Sequence, residues 1–281
     1  MRINYRISDV QDYINWIYFF HAWSVPMHSD EGVRLMEEAK RMLRTLQPYL
    51  KVKCAVDILP AYSDGDDIVV NKTYLCDCGL YHEYGDPIRI PMLRQQTPNE
   101  DGYCLCLSDF IRPKGTLKKD KIGVFATSVS VKGNESFADD DFNKMLLQTL
   151  ADRLAEAGAE RLHEEVRKRI WGYAPNEQLT MEELHMERFQ GIRPAIGYPC
   201  LPDISTNFVL DELIGFESIG VKLTEHAMMK PHASVSGFMI SHPQAKYFSV
   251  GKIDEEQIRD YAERRGVPFE EMRKYLTANI N

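Results

Sequence analysis

Residues 191–199 read Gly-Ile-Arg-Pro-Ala-Ile-Gly-Tyr-Pro. The two prolines lack a backbone donor and keep the residues before them extended, while Gly197 admits backbone geometry that a side chain would exclude. The pattern predicts a stiff loop that is neither a helix nor a central strand, carrying one cation, Arg193, and one aromatic ring, Tyr198. On these residues alone it is either a structural crossover or a wall of a binding site, since its backbone groups need partners outside a regular ladder.

Composition limits the class of protein. The chain has 281 residues, of which 44% are hydrophobic and 27% charged, as in ordinary globular domains. We expect one domain over residues 1–281. The net charge of −8, with no lysine or arginine block, argues against nucleic-acid or membrane-surface binding. No apolar run approaches the roughly 20 residues of a membrane span. The six cysteines and the lack of a signal peptide favour a reduced, cytoplasmic setting.

The order of predicted elements indicates the fold class. An aromatic segment at residues 9–23 should anchor the N-terminus in the core. Strand patterns at 54–60, 122–127, 238–240 and 247–251 then alternate irregularly with helix patterns. We therefore predict an α+β fold, with a twisted, mostly antiparallel sheet and helices packed around it.

The strongest helix signal lies between residues 139 and 170. Leucines recur every four residues beside small alanines, which predicts a long buried helix face. Gly158 interrupts this face at a cost of about 1 kcal/mol relative to alanine, so we expect a close neighbour there. Glu156 lies off the leucine face, and periodicity alone makes it a solvated charge.

Two Cys-x-Cys pairs are the main competing motif. Four thiolates, from Cys76, Cys78, Cys104 and Cys106, match the ligand set of a structural zinc ion. Such sites usually place two or more residues between paired cysteines, however, so that the loop wraps around the metal. A strand at 102–107 with two small side chains facing the core is the simpler interpretation. No motif of independent catalysis is present.

The loop resembles the Arg-Pro-Ala-x-Gly-Tyr-Pro signature of the activation domain of cobalamin-dependent methionine synthase. Similar segments follow the family's order along nearly the whole chain, among them Ile14–Phe20, Leu150–Ala157 and Trp171–Glu177. The resemblance implies a domain that binds S-adenosylmethionine and supports the reductive methylation of inactive cob(II)alamin. The chain lacks the Asp-x-His-x-x-Gly run of the family's cobalamin-binding module, so we expect cobalamin to be supplied only by a partner protein.

Site residues are carried over position by position. The resemblance implies ligand contacts from Arg193, Ala195, Gly197, Tyr198, Glu156, Tyr247 and Asn15. A guanidinium suits the ligand carboxylate, and a carboxylate suits its ammonium or its ribose hydroxyls. The two tyrosines offer stacking or a face for the sulfonium cation.

One position departs from the family. Asn15 stands where the family usually has an aspartate, which replaces a charge-assisted contact with a neutral one. Asp12, a helical turn earlier, is a candidate to compensate. The leading hypothesis is a stand-alone reactivation subunit that acts in trans on a cobalamin-binding methionine synthase subunit, with flavodoxin or another reductase as electron donor. The alternatives are a corrinoid-protein interaction module that has lost S-adenosylmethionine, and a zinc-stabilised structural protein.

Overall fold

The computed structural model describes residues 1–75, 81–131 and 140–280, and its centre is a six-stranded antiparallel sheet. The strands of this sheet are β1 (Arg2–Arg6), β2 (Lys51–Asp64), β3 (Asp67–Leu75), β4 (Tyr81–Pro91), β5 (Asp120–Val129) and β8 (Ser234–Met239). The strand order is β4-β3-β2-β5-β8, and β1 pairs with the first part of β2. A separate small pair joins β6 (Lys222–Leu223) to β7 (Met229–Lys230).

Helices cover both faces of the sheet. The α-helices are α1 (Ile7–Val10), α2 (Trp16–Trp23), α3 (Asp30–Leu46), α4 (Asp141–Glu165), α5 (Met181–His185), α6 (Thr206–Ile214), α7 (Glu255–Arg265) and α8 (Phe269–Tyr275). Short 3-10 turns cover Gln11–Tyr13, Leu107–Phe110, Phe216–Ile219 and Thr277–Asn279. Within the described ranges, no helix is both long enough and apolar enough to cross a membrane.

Alternation along the central strands divides the core in two. On β5, Phe125 points toward the layer of α2, α3 and α4, whereas Val124 and Ala126 point toward the layer of α6. Side chains of a strand alternate between faces, so a strand buried on both sides reads as a continuous apolar run. The predicted α+β class with an antiparallel sheet is confirmed.

The long helix begins close to its predicted position. Asp140 caps α4 by accepting a 2.7 Å hydrogen bond from the backbone of Asn143. The helix ends at Glu165 and widens into a π-turn over Val166–Ile170. Gly158 has the close neighbour expected of it, because an added Cβ would lie only 2.4 Å from Cγ1 of Val52 on β2. This glycine therefore lets α4 approach the sheet.

The strand predicted at 102–107 is wrong. Its backbone amides bind side chains instead of a neighbouring strand: that of Leu105 donates to Gln95 and that of Cys106 donates to Asp109, at 2.9 and 2.8 Å. Cys106 is buried as a small apolar side chain, and Cys104 is partly buried. Cys76 and Cys78 lie outside the described residues, so the four-thiolate hypothesis stays a prediction.

The strand predicted at 247–251 is also wrong. Strand β8 pairs with β5, not with this segment. The amide of Val250 donates to the carbonyl of Pro199 at 2.9 Å, and Gly251 adopts a left-handed backbone with φ of +74°. The segment is thus held by loop contacts, which leaves Tyr247 on irregular backbone.

Candidate functional site

The loop at residues 191–199, called here the Arg-Pro loop, lies along β8, the last strand of the sheet. The amide of Phe238 donates to the carbonyl of Pro194 at 3.0 Å, and that of Ile196 donates to Ser236 at 2.9 Å. Gly237 makes this approach possible, since a Cβ there would lie 2.2 Å from the Pro194 oxygen. The loop therefore extends the sheet edge without forming a regular strand.

A tight turn at the end of the loop presents the tyrosine. Gly197 has φ of +86°, in the left-handed region that favours glycine, and its amide donates to the carbonyl of Leu201 at 2.8 Å. The side chain of Tyr198 is consequently directed outward, and the residue is 52% exposed. Its hydroxyl lies 3.4 Å from an oxygen of Glu156 on α4. The loop and the long helix meet at this contact.

Arg193 points inward from the same loop. Its side chain is 11% exposed, and Nη2 donates to Oε1 of Glu160 on α4. The guanidinium carbon lies 5.7 Å from the ring centroid of Phe125. The backbone amide of Arg193 donates to the hydroxyl of Tyr247 at 2.9 Å. Burial raises the pKa of that hydroxyl, which stays neutral at physiological pH and can accept this bond.

The helix α4 contributes a second ion pair. Arg153 donates to both oxygens of Glu156, at 2.8 and 3.1 Å. Burial raises the pKa of Glu156, while the charges of Arg153 and Arg193 oppose that shift. Glu156 is therefore not the solvated charge that periodicity suggested. It is a partly buried carboxylate between two cations.

A small cavity opens where these elements converge. Its volume is about 160 Å³, and its walls include Glu156, Tyr198 and the start of β8 at Ser234–Ser236. The side chain of His232, 3.3 Å from Asp152, closes one side. A larger cavity of about 320 Å³ lies at the other end of β8, where Lys118 and Lys121 are among the lining residues.

The predicted site residues divide into two groups. Arg193 with Tyr247, and Tyr198 with Glu156, form two contacting pairs. Ala195 faces Gly237 in an antiparallel bridge, and Gly197 forms the turn, so both contribute through the backbone. Arg193 itself is not among the residues that line the small cavity.

Asn15 lies apart from these pairs in the described contacts. Its side chain accepts a 3.1 Å hydrogen bond from the amide of Ile17 and caps α2. An aspartate would cap equally well, so the helix start does not require the amide. Its predicted ligand contact, and the compensating role of the exposed Asp12, stay predictions.

Sequence reasoning missed Glu160 and Arg153. Both lie on α4 within one turn of Glu156, so helical spacing could have drawn attention to them. Their pairing with Arg193 and Glu156 depends on how the loop packs on the helix, which the spacing does not contain. Across the described ranges, no group of three or more histidine, cysteine or acidic residues is arranged to hold a metal ion.

The residues fit a zwitterionic ligand. Three buried polar atoms near the loop lack a hydrogen-bond partner among the described residues: Nε of Arg193, Oε2 of Glu160 and Nε of Arg153. Buried polar atoms are normally paired, so each of these three has capacity for one further hydrogen bond. A carboxylate matches the two donors, and the partly exposed carboxylate of Glu156 suits an ammonium.

These features define a class of protein, namely an α+β domain with a charged cleft beside a proline-rich loop at a sheet edge. Comparison with known families identifies the family to which the chain belongs. The vitamin B12 dependent methionine synthase activation domain matches residues 6–266, and the chain belongs to this family. It is similar to the crystal structure of the MetH reactivation domain bound to AdoHcy, with 38% identity and a TM-score of 0.88. That match covers 100% of this chain and 90% of the other.

Proposed function

We propose that this chain binds S-adenosylmethionine at the junction of the Arg-Pro loop and α4, and so supports the reductive methylation of cob(II)alamin. The observation that carries the proposal is the convergence of Arg193, Glu156, Glu160 and Tyr198 at one junction. The solved relative is bound to AdoHcy, which is S-adenosylmethionine without its methyl group.

The chain's own residues supply recognition. Arg193 would take the ligand carboxylate through donors that Glu160 leaves free, and the hydroxyl of Tyr247 would hold the loop backbone in place. Glu156 would attract the ammonium and the sulfonium. When bound, S-adenosylmethionine supplies an electrophilic methyl group, and a separate reductant supplies the electron that cob(II)alamin needs.

The size of the cavity adds an expectation about motion. At about 160 Å³ it is smaller than the roughly 300–1,000 Å³ typical of ligand pockets, so as it stands it takes only part of the ligand. Tyr198 is the exposed wall and is held by one long hydrogen bond of 3.4 Å. We expect its ring to move on binding and then to cover the ligand.

Calorimetry tests the proposal directly. Titration with S-adenosylmethionine, and separately with AdoHcy, should release heat and give one site per chain. Arg193→Leu should weaken this binding about tenfold or more, leaving it measurable at millimolar ligand, whereas Arg259→Leu, which removes an exposed arginine on α7, should leave it unchanged. No heat from the unmodified protein at millimolar ligand would exclude this function.

The partner proposed for this chain is a cobalamin-binding methionine synthase subunit on which it acts in trans. Mixing the two proteins with S-adenosylmethionine and a chemical reductant should convert the absorbance of cob(II)alamin to that of methylcobalamin. Association without ligand heat or conversion would favour the alternative, an interaction module that has lost S-adenosylmethionine. Ligand heat without conversion would refute the role in trans.

An acidic reductase such as flavodoxin is the proposed electron donor. The net charge of −8 opposes such a partner, but Arg112, Lys118, Lys119 and Lys121 lie together around the 320 Å³ cavity. Complementary charge mainly accelerates association and is weakened by salt. The double variant Lys118→Glu, Lys121→Glu should slow reductase binding at low salt without changing S-adenosylmethionine affinity. Equal association rates would exclude this docking face.

A further inference from the structure

One face of α4 and of the π-turn that follows it carries a column of polar side chains. Glu156, Glu160, His163 and Arg167 follow one another at spacings of four, three and four residues, which places them on one helix face. A helix face that packs inside a protein is usually apolar. Here each member contacts a residue of the chain beyond α4: Glu156 contacts Tyr198, Glu160 contacts Arg193, His163 contacts Tyr173 and Arg167 contacts Glu177.

Within this column, the pair of Glu160 and Arg193 joins the helix to the loop. Their side chains are 24% and 11% exposed, so the pair is largely shielded from water. Only one guanidinium nitrogen, Nη2, donates to Glu160, and the buried Nε has no partner among the described residues. The guanidinium is thus held at one corner and has donors left for a second anion.

We propose that Glu160 is a positioning residue, which fixes the guanidinium of Arg193 so that its remaining donors meet the carboxylate of the ligand. This inference rests on the proposed S-adenosylmethionine function. An unrestrained arginine loses rotamer freedom when it binds an anion, and that loss weakens the complex. A guanidinium already restrained by Glu160 and by the Phe125 ring avoids most of this loss.

The same geometry allows two competing accounts. If Glu160 neutralises Arg193 and has to be displaced, the carboxylate of the ligand and that of Glu160 compete for one guanidinium. If Oε2 of Glu160 instead binds the ligand ammonium, the residue contacts the ligand directly. The three accounts predict different effects of Glu160→Gln on the affinity for S-adenosylmethionine, for a ligand that lacks the carboxylate, and for a ligand that lacks both the carboxylate and the ammonium.

The test measures dissociation constants of the Glu160→Gln variant for three compounds. Positioning predicts S-adenosylmethionine binding weakened about tenfold or more, as expected for the loss of a charged hydrogen bond. Decarboxylated S-adenosylmethionine, which keeps the ammonium, and 5′-methylthioadenosine, which lacks both groups, should bind as they do to the unmodified protein. The matched control is Glu164→Gln, one turn along α4, whose carboxylate contacts Tyr13 and Lys168 instead. It should change none of the three constants.

A second set of variants tests whether Glu160 acts by positioning Arg193 or only through its negative charge. In an Arg193→Leu background, adding Glu160→Gln should weaken binding no further, because the two residues act through one contact. Glu160→Asp keeps the charge but shortens the side chain, so positioning predicts weakened S-adenosylmethionine binding here too. If Glu160→Gln unfolds below the assay temperature, Glu160→Asp provides the test of positioning in its place.

Several outcomes would overturn the inference. Tighter S-adenosylmethionine binding by Glu160→Gln would mean competition for Arg193. Weaker binding of the decarboxylated compound would mean direct contact with the ammonium. Unchanged affinity for S-adenosylmethionine would mean that Glu160 has no part in recognition, while the proposed function would stand. Failure of the unmodified protein to bind S-adenosylmethionine would remove the proposed function, and this inference with it.

Discussion

Replacement of Gly237 by alanine should detach the Arg-Pro loop from the sheet. The added Cβ would lie 2.2 Å from the carbonyl oxygen of Pro194, whereas ordinary contacts begin near 3.4 Å, so the loop has to move by about 1.2 Å. Overpacking of this kind costs about 1–3 kcal/mol. The hydrogen bonds from Phe238 to Pro194 and from Ile196 to Ser236 would weaken, each worth about 1 kcal/mol.

The expected loss of stability is therefore about 2–4 kcal/mol, a fall in melting temperature of roughly 3–7 °C for a domain of this size. Displacement of the loop should also weaken S-adenosylmethionine binding about tenfold or more, since Arg193 and Tyr198 move with it. Differential scanning calorimetry and isothermal titration would measure the two effects on the same preparation.

Gly123→Ala is the matched control for this prediction. Its Cβ would lie 2.8 Å from Cβ of Met239, so it also overcrowds the sheet, but against a side chain and not against the loop. It should lower the melting temperature and leave ligand affinity unchanged. If Gly237→Ala loses stability yet binds S-adenosylmethionine as tightly as the unmodified protein, the loop does not form a wall of the site and the reasoning fails.

Two further predictions concern buried charges. Glu177→Gln should lower the free energy of unfolding in urea by about 3 kcal/mol, because it leaves the fully buried Arg167 without its carboxylate partner. The control Glu182→Gln, at an exposed position, should not change the free energy of unfolding measurably. A loss below about 1 kcal/mol for Glu177→Gln would contradict the prediction. Burial raises the pKa of Glu156 above its ordinary value of 4.5. The contribution of Glu156 to stability should therefore fall as the pH rises from that ordinary value through the raised pKa of the folded protein. Glu156→Gln should remove this decline, and an unchanged pH profile would refute the assignment.

The pH prediction follows from proton binding. A carboxyl group whose pKa is higher in the folded state holds its proton more tightly there than in the unfolded chain. Its contribution is therefore fully present below the unfolded pKa and is lost as pH rises through the folded one. An acid held by its ion pair alone would show the opposite sign, so the slope itself tests whether burial or Arg153 dominates at Glu156.

Asn207 lies in the first turn of α6, next to β8. In the structure Asn207 is buried, accepts a 2.5 Å hydrogen bond from Ser236 and donates to the carbonyl of Ala227 at 3.0 Å. It therefore holds the start of α6 against β8 and is not a surface contact.

Local patterns were sufficient for several features of this protein. The four-residue recurrence of leucines predicted α4, the prolines and Gly197 predicted the Arg-Pro loop, and the motif order indicated the family. Each rests on residues within one element or on an ordered series of short segments. Backbone sterics and helical periodicity act over such distances, so a sequence displays them directly.

Contacts between distant residues were decided only by the tertiary structure. The ion pair of Arg193 with Glu160 joins residues 33 positions apart, and the Tyr247 hydroxyl reaches an amide 54 positions away. The two wrong strands, at 102–107 and 247–251, have the same origin, because an apolar run becomes a strand only if another strand is free to pair with it. The backbone amides of these two segments donate instead to Asp109, Gln95 and Pro199. Sequence alone indicated an arginine on a stiff loop, and packing against α4 determined which carboxylate holds it.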